Sequence, residues 1–142
     1  MKPRTIARLD MLAAEQETQA LEAVRRHNAA LRQAEEQRGI LAAYRLRLAQ
    51  SWQGGDAIPA AQARRAGQFA AASHGAEGQI IQAASLAASQ LESAITKLAQ
   101  VKARRAALAE ALRKAAQAAA RATEQRAERD RPHRPGPART RT

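Results

Sequence analysis

Residues 80–122 read IIQAASLAASQLESAITKLAQVKARRAALAEALRKAAQAAARA, and the apolar side chains along them recur at alternating steps of four and three. This heptad spacing is typical of a helix that packs along a partner helix. Twelve of the thirteen seam positions are apolar, and Arg105 is the exception. The seam positions are Ile80, Ala84, Ala87, Leu91, Ala94, Leu98, Val101, Arg105, Leu108, Leu112, Ala115, Ala119 and Ala122.

Prolines and glycines give the helix boundaries. The segments 4–58 and 60–131 lack proline, as long helices require, and Gly54-Gly55 and Pro59 lie between them. We therefore predict helix one at about 5–52, a turn at 53–58 and helix two at about 59–130. Residues 131–142 are basic and rich in proline, which predicts a disordered tail.

Helix one has a less regular apolar pattern than helix two. His27, Arg38 and Arg45 interrupt it, so the sequence leaves its register uncertain. A turn near residues 55–56 places residues opposite each other when their numbers add up to about 113. The predicted fold is therefore all-α, a two-helix antiparallel coiled-coil hairpin over 5–130 whose C-terminal helix overhangs its partner beyond about residue 108. The overhang either docks on another protein or is a free, solvated helix.

The composition argues against an enzyme. Of 64 hydrophobic residues 39 are alanine, so too few large side chains remain for a thick core or an enclosed ligand pocket. Cysteine is absent, and His27, His74 and His133 lie on helix one, helix two and the tail without metal-ligand spacing. We expect no catalytic residue, no cofactor and no metal site.

The net charge of +11 favours acidic partners, nucleic acid or anionic lipid. The basic residues between Lys97 and Arg129 point all around the helix, and that segment has no aromatic residue. Specific nucleic-acid recognition is therefore not expected. Because the sequence has no secretory signal and no apolar run of about 20 residues, we expect a soluble chain without membrane insertion.

The aromatic residues Tyr44, Trp52 and Phe69 are the only ones in the chain, and all lie within about fifteen residues of the turn. The predicted register places Tyr44 across from Phe69. Trp52 either plugs the closed end of the hairpin or contacts a partner. For Tyr44 and Phe69 the thin coil favours exposure, and exposed aromatic side chains are common binding anchors. Gly39, opposite residues 74–75, indicates either close backbone approach or a hinge.

A set of residues on the two predicted helices resembles the motif of the FliJ family, the coiled-coil proteins of bacterial flagellar type III export. It resembles more distantly the YscO-type proteins of injectisomes. It consists of Gln37, Leu41 and Tyr44, followed beyond the turn by Phe69 and Ala76. The chain departs from the family pattern where it has Leu48, Ser73 and Ile80 in place of tyrosine, leucine and histidine.

The resemblance implies a non-enzymatic stalk that lies in the cytoplasm, at the inner face of the membrane at the flagellar base. In this family the hairpin ends insert into the hexameric export ATPase. The projecting part contacts the cytoplasmic linker of the export gate and the export chaperones.

Two sets of contact residues follow from the resemblance. The export-gate and chaperone surface comprises Gln37, Leu41, Tyr44, Leu48, Phe69 and Ala76. The ATPase-ring contact in the overhang comprises Leu112, Arg113, Lys114, Arg121 and Arg126. Two alternatives stay open: a basic coiled-coil nucleic-acid-binding protein, and a structural coiled coil that forms homo-oligomers through the 80–122 seam.

Overall fold

The structure is a computed structural model that describes residues 2–52 and 58–132, without the side chain of Trp52. Two long α-helices, α1 (Pro3–Trp52) and α2 (Ala60–Asp130), pack against each other. No strand occurs among the described residues. The predicted all-α hairpin is therefore confirmed. The predicted turn, apart from residue 58, and most of the basic tail lie outside the described residues, as does the predicted role of the Trp52 side chain.

A proline stands at the start of each helix. Pro3 is the first residue of α1, a position that suits proline because an N–H there has no partner inside the helix. Pro59 immediately precedes α2, and its carbonyl accepts hydrogen bonds from the N–H groups of Gln62 and Ala63. α1 thus begins two residues before the predicted start, and α2 one residue after it.

The chain divides into two compact units, one of residues 16–102 and the other of residues 1–15 with 103–142. In the first unit, Ala20 and Ala34 of α1 and Ala87 and Ala94 of α2 are buried. The intervening seam residues of α2 are half-buried: Ile80, Ala84, Leu91 and Leu98. This part of the predicted seam is confirmed, and alanine fills most of its centre.

The heptad pattern of α1 continues through its polar residues. His27 and Arg45, which interrupt the apolar pattern, are half-buried at the positions that a heptad requires, and only Arg38 is exposed. A long polar side chain fits beside a thin alanine seam because its charged end can extend to water or to a partner. The register of α1 is therefore regular although its apolar pattern is not.

In the unit of residues 1–15 and 103–142, Ile6 and Ala13 are buried. Arg105, the one polar residue of the predicted seam, donates from Nε to Oδ1 of Asp10 at 3.4 Å. Burial along α2 fades at Ala115, which is half-buried, and every residue of 116–130 is exposed. The overhang is therefore confirmed. It begins later than residue 108 because the seam residue Leu108 is itself half-buried.

The helical glycines are not explained by packing. A Cβ atom built on Gly39, Gly67, Gly75 or Gly78 would meet nothing within 4 Å. Close backbone approach at Gly39 is therefore wrong as an explanation. What these glycines do is weaken the helices that contain them, since each costs about 0.5–1 kcal/mol relative to alanine.

Candidate partner-binding surface

Tyr44 and Phe69 pack against each other across the two helices. Their ring centroids lie 5.4 Å apart at an interplanar angle of 51°, which is a favourable tilted geometry for an aromatic pair. The predicted juxtaposition is therefore confirmed. Both rings remain open to solvent, Tyr44 with 54% and Phe69 with 37% of its surface exposed. The two rings thus contact each other and still leave a large part of their surface accessible.

The other predicted gate-contact residues lie around this aromatic pair at different depths. Gln37, Leu41, Tyr44 and Leu48 follow each other at steps of four, three and four, so they share one side of α1. Gln37 is exposed, whereas Leu41, Leu48 and Ala76 are half-buried. The leucines and Ala76 therefore form the base of the surface, and Gln37 and Tyr44 its outer part.

Two shallow grooves lie beside the aromatic pair, with volumes of about 290 and 280 Å³. Leu48, Ala66 and Phe69 line both of them. The larger groove is completed by Arg45, Ala49, Ala70 and His74. The smaller groove is completed by Tyr44, Gln62 and Arg65. The grooves exist because alanines replace larger seam residues next to two large side chains, Leu48 and Phe69.

Arg45, which lines the larger groove, forms a half-buried ion pair. Nη2 of Arg45 donates to Oε2 of Glu77 at 2.5 Å, and about a quarter of each side chain is exposed. Nε of Arg45 and Oγ of the buried Ser73 have no hydrogen-bond partner among the described residues. A buried polar group without a partner costs about 1–3 kcal/mol. The seam beside the grooves therefore contains buried polar atoms without hydrogen bonds, which a seam of alanine side chains would not contain.

Several arginines lie in this part of the first unit. We call residues 37–52 and 58–76 the turn-proximal surface. These two segments contain five arginines and no aspartate or glutamate. Only Arg45 among them is half-buried, and the other four are exposed. The arginines are Arg38, Arg45, Arg47, Arg64 and Arg65. The sequence-based site did not include these arginines, and Glu35, Glu36 and Glu77 lie directly beside the two segments.

The overhang presents a different surface. Leu112 is 38% exposed, and Arg113, Lys114, Arg121 and Arg126 are all exposed. Arg113 forms two hydrogen bonds to the carboxylate of Glu110, at 2.5 and 3.0 Å. This pairing lowers the pKa of Glu110 and raises the pKa of Arg113.

The predicted basic contacts of the overhang are not gathered into one cluster. Lys114 and Arg121, seven residues apart, share one side of α2, whereas Arg126 points to another. They form a distributed charge on an exposed helix instead of a built pocket.

The described residues contain no group of three or more histidine, aspartate or glutamate side chains that could hold a metal ion. Within the same ranges, neither helix has a segment long and apolar enough to cross a membrane.

No protein-family model, no curated protein and no solved structure matches this chain.

Proposed function

We propose that this protein is a non-enzymatic, stalk-like component of the bacterial flagellar type III export apparatus, similar to the FliJ family. In this role it binds the hexameric export ATPase and links it to the cytoplasmic linker of the export gate and to export chaperones. It acts in the cytoplasm, at the cytoplasmic face of the inner membrane. The observation that carries the proposal is the solvent-exposed contact between Tyr44 and Phe69.

The aromatic pair supports a gate-contact role on physical grounds. Exposed aromatic rings add little to folding stability, but they bury a large apolar area when a partner covers them. Because the rings already contact each other, they present one joint apolar surface to a partner. The pair also lies among the residues that carry the family resemblance, Gln37, Leu41 and Ala76.

The overhang supports the second half of the proposal. Residues 116–130 continue α2 with every side chain exposed, and alanine keeps the helix narrow. A narrow, exposed helix of balanced charge, with three arginines against Glu124, Glu128 and Asp130, suits insertion into the opening of a ring. Leu112, Arg113, Lys114, Arg121 and Arg126 are the proposed contacts with the ATPase.

Gate binding is tested with Tyr44→Ala and Phe69→Ala, measured by calorimetric titration against the purified linker of the export gate. Each change should weaken binding more than tenfold while the melting temperature shifts only slightly. Leu86→Ala is the matched control, because Leu86 is an apolar residue of the same unit that is 60% exposed. Gate binding that is unchanged in both aromatic variants contradicts the proposed contact.

The ATPase contact is tested by truncation after Ala111, with stimulation of ATP hydrolysis as the measurement. The truncated chain should keep its paired helices, because residues 112–132 are exposed apart from the half-buried Ala115, but it should lose stimulation. Truncation after Pro132 is the control and should stimulate fully. Full stimulation by the shorter chain rules out a role for the overhang.

A further inference from the structure

We propose that this protein forms a homodimer in which α2 of one copy lies antiparallel against α2 of the other. The contact is made by one side of the helix pair, in the middle of the first unit. It comprises Glu92, Ile95, Ala99 and Lys102 of α2, together with Leu21 of α1. We call these five residues the middle face. The inference is separate from the proposed function, because none of these residues belongs to the proposed gate or ATPase contacts.

The middle face lies on the opposite side of the helix pair from Phe69. Ile95 lies one residue beyond the buried seam residue Ala94, whereas Phe69 lies three residues beyond the half-buried seam residue Ala66. At about 100° per residue, these two steps turn the side chains to opposite sides of the seam. Dimerisation through the middle face therefore leaves the aromatic pair accessible.

Two large apolar side chains of the middle face are exposed. Ile95 has 51% and Leu21 38% of its surface accessible. Each directly follows a buried alanine of the seam, so in an antiparallel pair the two lie on the same side. Their residue numbers add up to within three of the sum for the contacting Tyr44 and Phe69, which places them within about 5 Å of each other along the helix axes. Exposed apolar residues are common on any surface, so the residues around them must identify the occupant.

The α2 residues of the middle face are complementary to their own reverse order. Glu92, Ile95, Ala99 and Lys102 follow each other at steps of three, four and three, so they share one side of the helix. A two-fold axis at the level of residue 97 sets Ile95 against Ala99 of the partner subunit and Glu92 against Lys102 of the partner subunit. Each contact then occurs twice, as an isologous interface requires. A large residue facing a small one lets the two helices pack closely.

The charges of the middle face select the antiparallel arrangement. Glu92 and Lys102 are exposed, and neither forms an ion pair with any residue of 2–52 or 58–132. They lie ten residues apart on α2, or about 15 Å, which is too far for them to pair within one copy. A parallel pair of α2 helices would set glutamate against glutamate and lysine against lysine, which is unfavourable. Only the antiparallel pair gives both charges a partner of opposite sign.

Sedimentation equilibrium of the full-length chain tests the proposal without any other protein. The chain is measured from about 1 to about 500 µM at about 0.15 M salt, where repulsion from the net charge of +11 is screened beyond about 8 Å. The apparent mass should rise from 15.3 kDa towards twice that value as the concentration increases.

Charge reversal locates the contact. Glu92→Lys should weaken dimerisation more than tenfold, because lysine then faces Lys102 of the partner subunit twice. Lys102→Glu should weaken it as strongly, although this change lowers the net charge and so reduces overall repulsion. The two changes combined restore opposite charges and should return the affinity to within threefold of the parent. Glu36→Lys is the control, exposed and about 22 Å along α1 from Leu21, and should change the affinity less than threefold.

Circular dichroism establishes that each variant keeps its helices. If a reversal loses helix, Glu92→Gln with Lys102→Gln replaces it, which leaves the net charge unchanged and should weaken dimerisation at least threefold. Three results would overturn the inference: a chain that stays monomeric at every concentration, single reversals that associate like the parent, or a combined variant that associates no better than the single ones. None of them bears on the proposed function, which is measured with the gate linker and the ATPase.

Discussion

The middle of the helix pair and its turn-proximal part use the same heptad spacing in different ways. In the middle, Ala20, Ala87 and Ala94 are buried, and residues 16–36 and 79–102 contain no glycine. Near the turn, α2 carries Gly67, Gly75 and Gly78, and its seam includes the unsatisfied hydroxyl of Ser73. The difference indicates that one coiled coil can concentrate its folding stability in one part and leave side chains of another part accessible.

The glycines make this difference quantitative. Three glycines that packing does not require lower helix stability by about 2 kcal/mol together relative to alanine. Burial of large apolar side chains near the turn offsets this loss only in part, because Leu41 and Leu48 are half-buried and Tyr44 and Phe69 are exposed. We therefore expect the middle of the helix pair to supply most of the folding stability. The turn-proximal part supplies the proposed partner-binding surface.

The largest effect is expected from a charge placed in the middle seam. Ala94→Asp should lower the free energy of unfolding by about 3 kcal/mol, because Ala94 is buried and a carboxylate placed there would be taken out of water. Urea denaturation followed by circular dichroism measures this loss. Ala99→Asp, at an exposed position of the same helix, is the control and should cost less than about 1 kcal/mol. Equal losses in both variants would mean that the middle seam is not where stability resides.

Replacing the three glycines in the first part of α2 should change the free energy of unfolding by less, and in the opposite direction. Gly67→Ala, Gly75→Ala and Gly78→Ala combined should raise the free energy of unfolding by about 2 kcal/mol, since each new methyl group has open space. Chemical denaturation of the triple variant is the measurement. The reciprocal control, Ala88→Gly in the middle of α2, should lower the free energy of unfolding by about 1 kcal/mol. A triple variant less stable than the parent would show that the glycines are needed for packing.

Much of the fold could be predicted from the sequence because α2 carries an almost unbroken apolar heptad. Every predicted seam position from Ile80 to Ala115 is buried or half-buried except Leu112, which is exposed. The register of α1 could not be read from apolar residues alone, since His27 and Arg45 occupy seam positions. Their place depends on partners across the seam, such as Glu77 for Arg45, and a single-helix pattern does not contain that information.

The candidate site was predictable only in part for a similar reason. The contact between Tyr44 and Phe69 follows from the antiparallel register, because their numbers add up to the predicted 113. The grooves depend on alanines such as Ala66 and Ala70 leaving space beside Phe69, which becomes visible only when both helices are in place. The explanation of Gly39 by close approach failed because sequence spacing gives no distance between backbones.

The half-buried ion pair near the turn should make a modest contribution. A double-mutant cycle with Arg45→Ala and Glu77→Ala should give a coupling free energy of about 0.5–1 kcal/mol, as for a partly solvated pair. Denaturation of the four variants measures it. The exposed pair of Arg113 and Glu110 is the control and should show a smaller coupling, because water screens both side chains. A coupling at Arg45 and Glu77 as small as that of the control would show that this ion pair does not help to set the register of α1.

The separation of stability from binding is tested most directly by the unfolding free energy of the double variant Tyr44→Ala with Phe69→Ala. Because both rings are exposed, we predict a loss of less than about 1.5 kcal/mol, which combines their mutual contact with a small burial contribution. Circular dichroism during urea denaturation gives this value without any partner protein. A loss of about 3–5 kcal/mol or more, as for a buried phenylalanine, would show that the pair belongs to the core and would contradict the account.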